Sequence, residues 1–323
     1  AAPLYLNPAM AGSTGQARAG INYRTQWPAI DANFVTMSAY FDYYIEDKKS
    51  GVGLLITQDR EGLANLRSFS IGLQYSYELS ITENLGFRPG VQVAFFNRDV
   101  NFNRLTFGDQ FDPGTGDFIN PETAETFNTD FKKSFLDLSL GGVLFTKQAW
   151  LGVAANHINT PNQSIIDEDA PLPVKLSIHG GFKIPLKPGV VGSGVYARPA
   201  ERSISPAFQY RHQGQFDQMD LGLYFTAEPL VIGTWYRGVP FKSVNNVVNN
   251  ESIVFLLGFT RIGGKSTAGT RDGLTIGYSF DYTISKLGAA SGGAHEFSLV
   301  YTWPMRNPRK PPPDKMVIPC PDI

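Results

Sequence analysis

The sequence predicts an all-β protein, a transmembrane antiparallel up-and-down β-barrel of about 14 strands with short periplasmic turns and longer extracellular loops. Three observations predict it. Apolar and polar residues alternate over segments of about ten residues, connections alternate between long and short, and the face opposite the apolar one carries charge.

The alternation is clearest in "GLTIGYSFDYTIS" at 273–285. Leu274, Ile276, Tyr278, Phe280, Tyr282 and Ile284 share one face, and Thr275, Gly277, Ser279, Asp281 and Thr283 share the other. A period of two is a strand with two unlike faces. In a soluble sandwich the apolar face points to the core; in an outer-membrane barrel it points to lipid.

Fourteen such segments follow one another, near 15–26, 33–44, 51–59, 67–79, 86–99, 132–146, 149–158, 173–184, 202–212, 215–226, 229–239, 251–262, 272–285 and 293–304. Their length is the roughly 9–11 residues a tilted strand needs to cross a bilayer. At 67–79, Phe69, Ile71, Leu73, Tyr75 and Tyr77 oppose Ser68, Ser70, Gly72, Gln74 and Ser76. At 173–184, Val174, Leu176, Ile178, Phe182 and Ile184 oppose Lys175, Ser177, His179 and Lys183. At 293–304, Phe297, Leu299, Tyr301 and Trp303 oppose Glu296, Ser298 and Thr302. The faces of 149–158 and 229–239 do not sort cleanly.

Long connections follow the fifth segment (100–131), the seventh (159–172) and the eleventh (240–250), whereas "EDKKSG", "KQ" and "AE" follow even ones. With both termini periplasmic, the long connections lie outside the cell, as in outer-membrane barrels. The long connection at 185–201 breaks this rule, and a strand extension would account for it. Trp27, Tyr43, Tyr44, Trp235, Tyr236, Tyr301 and Trp303 sit near segment ends, where interfacial girdles form. The chain then divides into a periplasmic segment at 1–14, the barrel at 15–304 and a Pro-rich periplasmic tail at 305–323.

Composition agrees. Only 18% of the 323 residues are charged, against about 25% in soluble domains. No run approaches the roughly 20 apolar residues of a helical span. A net charge of −1 gives no electrostatic case for nucleic acid. The single Cys320 excludes an internal disulfide and a multi-cysteine metal site.

The search for chemistry is empty. His157, His179, His212 and His295 have no metal-ligand spacing, and no nucleophile-elbow, zincin, phosphate-loop or dinucleotide motif occurs. Asp109, Asp112 and Asp117 cluster in "GDQFDPGTGDF" (108–118) but lack the calcium-loop pattern, so a polar outer loop is the favoured reading. No catalytic residue, metal ligand or cofactor is assigned, and an enzyme is not expected.

Face parity places Arg18, Arg24, Arg88, Lys175, Lys183 and Arg211 in the lumen with Asp137, Asp220, Asp281 and Glu296. Two readings stand: mutually paired residues that stiffen the wall, or a lumen that holds a polar peptide, plug or solute.

Short motifs in fixed order now add to this. "YLNPAMAG" (5–12), "YRTQW" (23–27), "GVGLLI" (51–56), "RDGLTIGYSFDYTIS" (271–285) and "GAHEFSLVYTW" (293–303) resemble the PorP/SprF family of Bacteroidetes outer-membrane proteins. Family members begin with a signal peptide and a short lead before "NPA", both absent here. The resemblance implies a barrel of the type IX secretion system that works with secreted surface proteins such as gliding adhesins. Their type B C-terminal domain would be exported or anchored by it, with a periplasmic peptidoglycan-binding protein as a further partner.

The expectation is therefore a non-enzymatic outer-membrane barrel that binds, helps export or anchors a secreted surface protein and contacts periplasmic machinery. The alternative is a passive outer-membrane channel or hydrophobic-solute transporter. Lumen-facing residues are the client-binding candidates, with Arg18, Arg24, Arg88 and Lys175 foremost. Asn7, Pro8, Arg309, Lys310, Pro311, Pro312 and Pro313 are candidates for periplasmic contacts.

Overall fold

The computed structural model describes residues 2–62, 66–100, 106–124, 131–165, 168–191, 198–244, 247–262, 272–285, 288–303 and 317–320. Its strands are β1 (Ala17–Gln26), β2 (Phe34–Ile45), β3 (Ser50–Glu61), β4 (Leu66–Tyr77), β5 (Leu79–Thr82), β6 (Leu85–Asp99), β7 (Lys132–Phe145), β8 (Ala149–Asn156) and β9 (Lys175–Phe182). They continue as β10 (Ile184–Pro185), β11 (Gly189–Val191), β12 (Arg198–Ala200), β13 (Arg202–Gln213), β14 (Phe216–Ala227), β15 (Leu230–Val244), β16 (Val247–Ile262), β17 (Gly273–Thr283) and β18 (Ala294–Trp303).

Fourteen of these form the wall, each antiparallel to its neighbours. Closure comes from β1 pairing with β18 and β9 pairing with β13, so the sheet has no edge. Each of the fourteen alternating segments is one wall strand. The long connection before β13 does carry strand extensions. β10 pairs with the start of β13, and β11 and β12 make a separate hairpin.

The direction of the apolar face follows from burial. On β4, Phe69, Ile71, Leu73, Tyr75 and Tyr77 are exposed, and Gly72, Gln74 and Ser76 between them are buried. On β17, Ile276, Tyr278 and Tyr282 point out, while Thr275, Ser279 and Asp281 are buried. The interior is polar and the outside is a continuous apolar belt, the inverse of a soluble domain. That belt needs lipid. Leu73, 68% exposed at mid-strand, is the position of choice for a test. Leu73→Arg should lower stability by about 2–4 kcal/mol in denaturant titrations of the vesicle-inserted barrel. A loss within error would place that face away from the bilayer core.

Two expectations need correction. The connection expected at 240–250 is mostly strand, because β15 runs to Val244 and β16 resumes at Val247. Pro240 interrupts the alternation on paper, but the ladder absorbs it with a register shift between Val239 and Ser243. Tyr44 and Trp235 do not join the aromatic girdle. Both lie on the lumen side: Tyr44 is 4% exposed with Arg88 over its ring, and Trp235 lines the interior beside Arg237.

Strand direction defines two mouths. At the terminal mouth β1 starts and β18 ends. At the far mouth lie the ends of β6 and the start of β7, with the long connection 100–131 between them. Within its described part, Asp109 accepts hydrogen bonds from Ala124 N at 2.6 Å and Thr123 Oγ1 at 2.9 Å. The Ala124 amide, and then the Thr123 hydroxyl, hold that carboxyl below the usual range. Asp112 caps a turn through Gly114 N and Thr115 N. Among the described residues no group of three or more metal-ligating side chains gathers, here or elsewhere.

Candidate functional site: the barrel lumen

The lumen is not empty. Residues 2–16 fold back into it as a plug, made of the short helix α1 (Pro3–Leu6) and a 3-10 turn at Pro8–Met10. Prolines near the start of each piece and the Asn7 cap, whose Oδ1 accepts from Ala9 N at 2.9 Å, shape this compact segment. The plug packs on β3, β4, β6 and β7. Gly51 and Gly90 on those strands make room for it. A Cβ on Gly51 would sit 2.0 Å from Ala11 O, and one on Gly90 2.4 Å from Ala9 N.

Wall side chains satisfy the plug's buried backbone. Gln74 donates to Leu4 O at 2.8 Å, Ser76 to Ala11 O at 2.7 Å and Arg88 to Ala11 O at 3.0 Å. Asp42 accepts from Gly12 N at 2.8 Å. Asn7 donates to Val153 O at 3.1 Å and stands 3.1 Å from His179 Nε2. Asn7 and Pro8, expected to meet a periplasmic partner, are instead fully buried by this packing, so an outside partner does not reach them in this arrangement. Arg309, Lys310, Pro311, Pro312 and Pro313 lie outside the described residues.

The lumen charges form two tiers. Near the terminal mouth Arg18 grips Asp42 with Nε at 2.8 Å and a second nitrogen at 3.0 Å. Arg88 pairs with Glu78, Lys183 with Glu201, and Arg261 with Glu228 at 3.1 Å. Toward the far mouth Arg24 meets Asp281 at 2.6 Å and Glu296 at 3.2 Å. Arg237 bridges Asp281 at 2.6 Å and Asp220 at 3.3 Å, and Arg211 reaches Asp220 at 2.8 Å. Asp137 lies 2.7 Å from His157 Nδ1.

Lys175 differs from the other candidate cations. It is the first residue of β9, and among the described residues no carboxylate lies within 4.0 Å of it. Its Nζ lies 5.1 Å from the centre of the Tyr5 ring of the plug. Beside the plug runs a cavity of about 520 Å³, lined at the far end by Gln26, Lys175 and Glu251 and at the terminal end by Arg261 and Thr302. Arg18, Arg24, Arg211, Asp220 and Glu296 also line it. Asp281 faces an adjoining space of about 170 Å³. Arg88, Asp137 and Lys183 line neither space.

Sequence reading missed Asp42, Glu78, Glu201, Glu228, Arg237 and Arg261. Parity carried a signal for one of them: Asp42 shares a face with Ser38, whereas Arg237 lies in a segment whose faces do not sort cleanly.

A closed lipid-facing barrel of fourteen strands with a lumen plugged by its own N-terminal segment is an outer-membrane β-barrel protein. The chain belongs to the PorP/SprF family, whose model, described as type IX secretion system membrane protein PorP/SprF, matches residues 1–301. No curated protein matches it. Among solved structures it is similar to the toluene transporter TbuX of Ralstonia pickettii, with TM-score 0.53, 10% identity and coverage of 94% of this chain and 93% of that one. The P. putida toluene transporter TodX follows at TM-score 0.43, 10% identity and 93% coverage of both chains. At these identities the likeness concerns the fold.

Proposed function

We propose that this barrel is a membrane-anchored docking site for a secreted cell-surface protein of the type IX system, whose C-terminal domain engages the lumen. The far mouth, with its long connection, faces outward, and both termini lie in the periplasm. The observation that carries the reading is Lys175. Its lumen neighbours Arg18, Arg24, Arg88 and Arg211 are each held by a carboxylate, which leaves Lys175 at the cavity wall to take an acidic or carbonyl group from a client. Gliding adhesins with a type B C-terminal domain are the clients this family membership suggests, and a peptidoglycan-binding protein is the periplasmic partner it suggests.

Pull-down of the intact barrel with mass spectrometry tests the reading. Lys175→Glu should weaken client capture roughly tenfold or more, the scale of a lost charge-assisted hydrogen bond with repulsion added. If the wild-type barrel retains no surface protein and no periplasmic partner, docking fails. The alternative of a passive channel or hydrophobic-solute transporter has the toluene-transporter fold in its favour. Against it stands the mixed lining of the cavity, where Arg18, Arg24, Arg211, Asp220, Glu251 and Glu296 stand among the apolar side chains, more charge than an apolar solute calls for.

A further inference from the structure

The chain returns to the lumen after β18. Residues 317–320, "VIPC", lie inside the barrel, 14 positions beyond Trp303. Ile318 is only 3% exposed and is buried with Met10 of the plug and Val143, Phe145 and Trp150 of the wall. The segment joins no described strand, so side-chain burial rather than sheet pairing seats it. Fourteen positions allow a reach of at most about 46–50 Å, enough for the return. Val317, Ile318 and Cys320 line the same cavity that reaches Lys175 at its other end.

We infer that this notch is a peptide-binding site, and that its ligand is a short extended peptide pairing an aliphatic side chain with proline. The chain's own tail fills it in cis. Three features set that ligand class. The notch is apolar and aromatic, which selects an aliphatic side chain. It offers no free strand edge, because β7, β8 and β9 are paired on both sides. A proline, which lacks an N–H, therefore loses nothing there. The site is also exchangeable. Only two buried side chains, Ile318 and Pro319, hold this short tethered segment, and such contacts open locally without unfolding the barrel. Because Ile318 packs with Met10, the tail also braces the plug. Whatever draws the tail out at the terminal mouth uncovers the plug's flank and one end of the cavity. The inference does not depend on which client, if any, enters from the far mouth.

Cys320 is the chain's single cysteine, so it reports tail docking with no engineering. The full-length barrel in detergent is treated with a polar maleimide and the rate of labelling is followed. Ile318→Asp should speed labelling about tenfold or more, while heat-modifiable gel migration shows that the barrel is intact. On the wild-type protein, millimolar synthetic peptide MVIPSPDI should speed labelling too, whereas a scrambled peptide with the proline moved should not. Equal rates for wild type and Ile318→Asp would overturn the docking. A rate that rises in the variant but ignores the peptide would overturn the site as one open to ligand in trans.

Discussion

Replacing Asp42 by alanine is expected to cost about 3–5 kcal/mol, the largest loss of any single lumen substitution at the terminal mouth. Asp42 is fully buried and accepts three hydrogen bonds, two from Arg18 and one from Gly12 N. Removing it takes the carboxylate from a guanidinium that is itself nearly buried, and leaves a plug amide without its acceptor. The cost lies in what remains unpaired, because a buried pair by itself only roughly offsets its own desolvation. The double variant Arg18→Met, Asp42→Leu should therefore lose much less than the sum of the single ones, since neither charge is left alone. Denaturant titration of the four proteins in lipid vesicles gives the cycle. Additive losses would mean that the two side chains act independently, against the bidentate geometry.

The wall was legible in the sequence because one physical constraint repeats along it. Every lipid-facing residue must be apolar and every second residue faces the lumen, so β4, β17 and β18 announce both faces over their whole lengths. β8 and β15 resisted for a local reason. Their lumen faces carry Trp150, Ala154, Val231 and Trp235, as apolar as the outer face; Trp150 packs on the plug and the tail, and Trp235 stands edge-on to Tyr224 of β14. A related cause put Tyr44 and Trp235 in the girdle: residue type pointed to an interface, while both side chains turn inward.

The plug was not legible from its own residues. "PLYLNPAMAG" has no period of two and no long apolar run. Its place is fixed by gaps on three other strands, since Gly51, Gly53, Gly90 and Gly141 all face the lumen where the plug passes. A sequence reader could have noticed that the lumen faces of β3, β6 and β7 lose their side chains at one level, but nothing local says what fills the space. The ion pairs were half legible for the same reason. Parity places a charge on the lumen face, whereas its partner depends on which strands are neighbours and on their register, as with Arg237 and Asp281 on non-adjacent strands.

Gly90→Val should evict the plug and leave the wall standing. Valine suits a strand better than glycine, and Gly90 pairs normally with Ser76 and Gly141, so nothing in β6 itself opposes the change. What opposes it is the plug. The new Cβ would lie 2.4 Å from Ala9 N, 2.5 Å from Ala9 Cα and 2.6 Å from Pro8 C, all backbone atoms that cannot rotate away. Overpacking of this kind costs about 1–3 kcal/mol or more, and here displacement of residues 2–11 relieves it. Displacement takes Met10 from beneath Ile318, so the tail loses its contact with the plug and keeps only its wall contacts. The expected result is a barrel with unchanged heat-modifiable migration and a large rise in ion conductance in planar bilayers, matched by a deletion of residues 2–11. The wild-type protein should conduct weakly under the same conditions. If Gly90→Val and the deletion both stay as closed as wild type, the plug does not close this barrel, and the wall's own ion-paired tiers must do so.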